Sequence, residues 1–367
     1  MVSILIPTLN RPEFLYRALK YYRKVGFEGV FYIGDSSDRD NASKNLLNID
    51  KMRESLNIDY KYYEKDRYDV ALVLKDQIER AKTPYIAICC DDDFLNLNGV
   101  RKCAKFLENN ADYVSARGIR LNFSLKEINE VYGEIDQLHL VPSLYLENNS
   151  ARVRWATYMN CDLSTMYNVH KKDIFQKMFQ HIEKVSIPDF RNELLQSSTT
   201  CLLGKTKNLD VLYNLVQLHE GSISYSGRVT IFDQIMSAGW SASIKFMSTF
   251  VSEQLREKDM LNDEQSKSFV YNEFEKYLVR LFLSQTKAEN NNIDKIMNIG
   301  FKLRNFIKGS PKLLGLLRYL IDKRAKASNL YNNPKSCRVS LSSIISSASP
   351  YRNDFLAVAD IISNSNA

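Results

Sequence analysis

The chain has 367 residues, 44% of them hydrophobic and 25% charged, with a formal net charge of +7. That length allows one large domain with an extension or two domains, and the composition is that of a soluble globular protein with a real core. The positive charge suits a nucleotide, a phospholipid surface or an anionic glycan, while the lack of zinc-finger spacing, an RNP aromatic signature or a long basic run argues against nucleic acid.

The first element is VSILIP, residues 2–7, a β-branched apolar run that reads as a strand. No charged segment precedes it, so no signal peptide is expected. TLNRPEFLYRALKYYRKVG follows as a helix. Asn10 or Thr8 caps it, Pro12 suits its first turn, and Phe14, Leu15, Leu19 and Tyr22 recur at helical spacing. GVFYIGDSS is a second strand, closed by Gly34 and a polar turn, and DYKYYE is a weaker third. DVALVLKDQIERAK is a helix with Val70, Leu72, Leu74 and Ile78 among its apolar positions. PYIAICC is apolar throughout, as in a central strand of a parallel sheet covered on both faces.

On a strand, Cys89 and Cys90 point to opposite faces and read as small buried hydrophobes of a reducing compartment. With Cys103, Cys161, Cys201 and Cys337 they form neither a disulfide ladder nor a metal-binding CxxC pair. The alternation of strand and helix predicts an α/β sheet with right-handed crossovers. Ligands of such sheets bind beyond the carboxyl ends of the strands. Three polar clusters fall at those ends: PTLNR, GDSS and DDD.

NGVRKCAKFLENN then reads as a helix and ADYVSARGIRLNF as strand and turn, while residues 125–160 carry no clear pattern. TMYNVHKKDIFQKMFQHI is a strand leading into a helix. PDFRNELLQSSTTCLLG is a helix opened by Asp189 and ended at Gly204, and KNLDVLYNLVQLHE is a strand of alternating faces. From about Ser248 helical patterns dominate, and Ser310-Pro311 and Ser349-Pro350 are cap-plus-first-turn signals. A boundary near residue 250 therefore separates an α/β region, 1–250, from an α-helical region, 251–367. The most apolar late run, LLGLLRYLI, is far shorter than the ~20 residues that span a bilayer. A cytoplasmic protein is expected, or one peripheral to the inner face of a membrane.

Asp91, Asp92 and Asp93 close the fourth strand. Clustered carboxylates are a poor structural device unless a divalent cation joins them. Mg²⁺ and Mn²⁺ prefer oxygen ligands and use one or two carboxylates plus substrate phosphates. On an extended segment Asp91 and Asp93 face one way and Asp92 the other, so two hold a metal while the third reaches a ribose hydroxyl. The alternative is a solvated acidic turn, or a helix cap at Asp93.

ILIPTLNRPEFLYRALKYY, GVFYIGDSS and AKTPYIAICCDDDFL, in that order, resemble the nucleotide-sugar half of a family 2-like glycosyltransferase of bacterial surface-glycan type. The resemblance covers roughly residues 1–225. It implies a GT-A fold, Rossmann-like with a mostly parallel central sheet, whose nucleotide-sugar half is about 1–120 and acceptor half about 121–250. It further implies that Pro7, Thr8, Asn10 and Arg11 lie against the nucleotide and that Asp35 meets the base. Asp91 and Asp93 coordinate Mn²⁺ or Mg²⁺ on the diphosphate. Cys90 stands where a first aspartate is common, so Asp92 is either a ribose contact or a ligand. Lys75 faces a phosphate or solvent. His219 is a late metal ligand or a structural histidine. Trp155, Tyr158 and Tyr167 line a sugar or acceptor pocket, or pack in the core.

An acceptor hydroxyl also needs a base. Asp189 and Glu193 are four apart and share a helix face. The resemblance favours Glu193 as base, with Asp189 as the cap. The function so implied is an inverting, metal-dependent transfer of a sugar from a nucleoside-diphosphate donor to a hydroxyl of a glycan or lipid-linked glycan. The alternatives are a sugar nucleotidyltransferase, which needs a Gly-rich loop that PTLNRPEF lacks, and a non-catalytic GT-A-like binding protein. Residues 301–326 form a basic amphipathic stretch that suits an anionic membrane surface, or a helical extension packed on the catalytic domain.

Overall fold

A computed structural model describes residues 1–64, 69–126, 131–161, 163–221, 231–288 and 336–363. One ten-stranded sheet organises the chain. Its N-terminal part is parallel: β1 (Val2–Thr8) lies between β2 (Val30–Asp35) and β4 (Tyr85–Ile88), and β3 (Asn57–Tyr62) flanks β2. Beyond β4 the sheet is mixed. β6 (Tyr113–Leu125) runs antiparallel to β7 (Ile135–Val141) and β8 (Val169–Lys171), and parallel to β9 (Lys205–Gln217). β5 (Phe94–Leu95) pairs with β9, and β10 (Cys337–Val339) closes the edge on β7.

Period-two alternation on the central strands feeds two cores. Ile4, Ile6, Phe31, Ile33 and Ala87 face one layer, with α1 (Pro12–Lys24), α2 (Arg39–Asp50) and α4 (Leu97–Asn109). Leu5, Tyr32, Ile86 and Ile88 face the other, with α3 (Val70–Arg80), α5 (Ala151–Met159), α6 (Lys172–Phe179) and α7 (Leu195–Leu203). Gly34 brings α3 close to β2, since a Cβ there would lie 2.3 Å from Val73 Cγ1.

The helices after residue 230 are α8 (Ile231–Met236), α9 (Trp240–Asp259), α10 (Asp263–Ala288), α11 (Leu341–Ile345) and α12 (Arg352–Ser363). They do not build a third core among the described residues. Met247, Val251 and Leu255 of α9 and Val270 and Phe274 of α10 join the second core. Phe355, Val358, Ile361 and Ile362 of α12 join the first. Residues 301–326 lie outside the described residues. No helix among the described residues is long and apolar enough to cross a membrane.

Candidate active site

The parallel register brings the ends of β1, β2 and β4 to one edge: Thr8 lies opposite Asp35, and Leu5 opposite Ile88. Pro7 sits within β1 opposite Gly34, just ahead of this edge. The loop after β1 turns at Asn10, whose φ of 57° is the left-handed conformation that asparagine tolerates well. Asn10 N–H donates to Ser37 Oγ at 2.7 Å, and Asn10 Oδ1 accepts from Asp38 N–H at 2.9 Å. Neither Asn10 nor Thr8 caps α1. Arg11 occupies the cap position without a side-chain cap bond.

Asp35 is fully buried and already serves three donors. Its Oδ1 accepts from Ser37 N–H at 2.8 Å, and its Oδ2 from Asn45 at 2.8 Å and Tyr60 at 2.9 Å. It therefore holds the turn after β2.

The aspartates do not continue a strand. β4 ends at Ile88, and Asp93 N–H bonds to Cys90 O at 3.2 Å to close a turn through Asp91 and Asp92. The alternating-face expectation fails for that reason. Thr8 Oγ donates to Asp91 Oδ2 at 2.7 Å. Arg11 reaches Asp92 Oδ2 at 2.9 Å and Asp91 Oδ1 at 3.5 Å, and its other guanidinium nitrogen donates to Gly221 O. His219 Nε2 lies 2.8 Å from Asp92 Oδ2, with its ring stacked on Phe14. Asp93 Oδ1 accepts from Gln217 N–H at 3.0 Å. All three carboxylates are buried.

Electrostatics divides them. Burial, and then the charge of Asp92, pushes the Asp91 carboxyl up to about 7, against Arg11 and Thr8. The same two causes push Asp93 well above the usual range. Burial opposes the charge on Asp92 too, but hydrogen bonding to His219 and the charge of Arg11 hold its carboxyl below the usual range. Ionising all three at once would place more negative charge in the turn than Arg11 and Arg17 balance.

A divalent cation fits this deficit. Donor atoms of Cys90, Asp92 and Asp93 lie within 4.8 Å of one another. The cluster differs from the expected pair of Asp91 and Asp93 in including Cys90, whose thiol burial pushes well above its ordinary value, while Asp91 accepts from Thr8 and Arg11. Two oxygens and a sulfur suit Mn²⁺ better than Mg²⁺, which demands hard ligands. His219 stands on Asp92, one of the three.

Glu193 lies in a π-helical turn, Phe190–Leu194, that runs into α7, and it is exposed. Such turns are frequent at functional sites. Neighbouring Cys90, then burial, then the charges of Glu193 and Asp93 push the Tyr167 phenol well above its ordinary value. Tyr213 fixes it by donating to Tyr167 O at 2.7 Å. Trp155 and Tyr158 are core residues, Trp155 donating to Ser198 Oγ at 3.0 Å. Asp189 is helical and makes no cap bond. Its Oδ2 accepts from Gln234 at 2.5 Å instead. Lys75 pairs with Glu183 at 2.9 Å and lines a side cleft with Asp173, Gln176 and Lys177 of α6, not the aspartate turn.

Sequence reasoning missed Arg17, which is fully buried behind the turn and donates to Asp92 O at 2.7 Å and Gln217 Oε1 at 2.7 Å. The available signal was a cation on the apolar face of α1, three residues after Phe14 and four before Tyr21.

Residues 3–179 match the model of a family described as Glycosyl transferase family 2. No curated protein matches the chain. Among solved structures, S. aureus TarS superposes with a TM-score of 0.51 at 14% identity, over 89% of this chain and 53% of TarS. The chain thus spans about half the length of that TarS chain. S. aureus TarS 1–349 gives 0.50 at 14% identity, over 98% of this chain and 88% of the other. Its complex with UDP-GlcNAc gives 0.50 at 15% identity, over 98% and 89%. At such identities the likeness is one of fold.

Proposed function

Residues 3–179 match the glycosyl transferase family 2 model; on that premise we propose that the chain is an inverting, divalent-metal-dependent glycosyltransferase that moves a sugar from a nucleoside-diphosphate donor to a hydroxyl of a glycan or lipid-linked glycan. One observation carries this reading. Donor atoms of Cys90, Asp92 and Asp93 lie within 4.8 Å of one another at the turn after β4, where Thr8 and Arg11 also converge.

Cys90, Asp92 and Asp93 would hold Mn²⁺, which when bound neutralises charge developing on the leaving diphosphate. Thr8 at the end of β1, and Asn10 and Arg11 on the loop after it, take the nucleotide side. Glu193 receives the acceptor hydroxyl's proton as that oxygen bonds to the anomeric carbon and the bond to the diphosphate breaks on the opposite face. Tyr167 presents an aromatic surface to the sugar. Asp91 orients the loop through Thr8.

Because a TarS structure of the same fold holds UDP-GlcNAc, uridine diphosphate sugars are the first donors to test. The test is thermal shift and donor hydrolysis with UDP-, GDP-, CDP- and dTDP-sugars in Mn²⁺, with and without chelator. Stabilisation by one nucleotide class, with hydrolysis abolished by chelator, supports the reading. Hydrolysis unchanged by chelator removes the metal from it. The stretch 301–326 would place the enzyme against an anionic membrane, tested by flotation of the full chain with anionic liposomes at low salt.

A further inference from the structure

We infer that Arg11 is a charge placeholder: with no donor bound it occupies the carboxylate face that a divalent cation needs, and donor binding moves its guanidinium from Asp91 and Asp92 onto the diphosphate. This rests on the metal and donor reading above.

The geometry supplies the competition. Arg11 lies 2.9 Å from Asp92 Oδ2, and Asp92 belongs to the set whose donor atoms lie within 4.8 Å. A dication bound there and a guanidinium on the same carboxylate repel strongly in a site that excludes water. Both are accommodated only if an anion comes between them. A diphosphate is such an anion, and the fork of an arginine matches its oxygens as well as it matches a carboxylate.

Arg11 is also placed to move. Its side chain is 18% exposed, against 5% for Asp91 and 8% for Asp92. It sits at the cap position of the thirteen-residue helix α1, where the helix dipole favours an anion. Arg17 remains behind the turn throughout, tied to the Asp92 main chain, so release of Arg11 does not dismantle the turn.

Metal and donor binding should therefore be coupled. Bare Mn²⁺ must displace Arg11 and binds weakly. Mn²⁺ with a nucleoside diphosphate gives Arg11 a new partner and binds tightly.

The experiment is Mn²⁺ titration of the full chain, read from the electron paramagnetic resonance signal of free Mn²⁺. Wild type, Arg11→Gln and Arg11→Lys are compared, first without nucleotide and then with UDP, GDP, CDP and dTDP in turn. Without nucleotide, Arg11→Gln should bind Mn²⁺ about tenfold more tightly than wild type, and Arg11→Lys should stay near wild type because it keeps the charge. With the best nucleotide, the gain in Mn²⁺ affinity should be about tenfold smaller in Arg11→Gln than in wild type. Equal or weaker Mn²⁺ binding by Arg11→Gln without nucleotide, while Asp93→Asn abolishes binding, overturns the placeholder and leaves the metal site standing. No Mn²⁺ binding by wild type with any nucleotide overturns both.

Discussion

Arg17 donates to the main-chain oxygen of Asp92 at 2.7 Å from a side chain with no exposed surface. The same guanidinium bonds Gln217 Oε1 at 2.7 Å and Val131 O at 2.5 Å, and lies between the rings of Phe14 and Phe94 at 5.0 and 4.9 Å. Gln217 in turn gives its N–H to Asp93. One buried cation thus ties α1, the aspartate turn and the end of β9 together. Burial lowers its pKa to about 10, against the charge of Asp92, so it stays charged at neutral pH.

Arg17→Met leaves those acceptors and the nearby carboxylates without their buried counter-charge. The expected loss is about 3–5 kcal/mol in urea unfolding. Arg17→Lys keeps the charge but loses the fork, and should retain part of the stability while binding Mn²⁺ less well. Unchanged unfolding midpoints in both variants would show that the fork is dispensable.

Asp189 accepts from Gln234, and Glu193 is exposed on the π-helical turn that runs into α7. Glu193→Gln should lose about 10²–10⁴-fold in turnover while donor still raises the melting temperature. Asp189→Asn should stay within a few fold of wild type. Normal turnover in Glu193→Gln reassigns the base.

Asp93 is buried beside two other carboxylates, and the charge of Asp92 acts against it. Asp93→Asn keeps an oxygen for the Gln217 N–H but removes that repulsion. Chelator-treated protein should then unfold at a higher temperature than wild type, by the equivalent of about 1–2 kcal/mol, while stabilisation by Mn²⁺ disappears. A variant less stable than wild type without metal would mean that the carboxylate itself, not its charge balance, holds the turn.

These contrasts mark what the residues reveal before folding and what they do not. The apolar runs of β1, β2 and β4 and the polar clusters after them were readable because alternation and strand ends are local properties. The convergence of Thr8, Arg11 and the aspartates follows from that parallel order, whereas His219 arrives from β9 in the mixed part of the sheet. The shape of the aspartate turn does not follow from the parallel order. Apolar character persists through Cys90, yet the strand stops at Ile88 because Arg17 and Gln217, distant in sequence, bind the turn's main chain and Asp93. The Asp189 cap failed likewise, its carboxylate being drawn to Gln234 on α8. Helix α2 escaped notice because it buries only Ala42, Asn45 and Ile49, too few for a visible stripe.

His170 is buried and its Nδ1 lies 3.0 Å from Asn168 O. Burial lowers its pKa to about 3. The unfolded chain therefore takes up a proton near pH 6.5 that the folded chain refuses until about pH 3. The neutral ring's contribution is complete above 6.5 and is lost as pH falls, by about 1.4 kcal/mol per unit in that window. His170→Gln should flatten the difference in unfolding free energy between pH 7 and pH 5 relative to wild type. Equal slopes would place a charged histidine in the fold.

The last described helix packs into the first core. Phe355 of α12 is fully buried in the layer that holds α1, and Ile362 O accepts from Gly133 N–H at 3.0 Å. Val131, two residues before Gly133, is a partner of Arg17, so three hydrogen bonds link α12 to the aspartate turn. Its surface link is an exposed ion pair between Lys24 and Asp360. Burial and not that pair should dominate the energetics. Phe355→Ala should cost about 3–5 kcal/mol by leaving a cavity, and Asp360→Asn less than about 1 kcal/mol. If docking of α12 also supports the site, Phe355→Leu, which keeps most of the volume, should retain Mn²⁺ affinity while Phe355→Ala loses it below its melting temperature. Equal Mn²⁺ affinity in the two variants would confine α12 to a structural role.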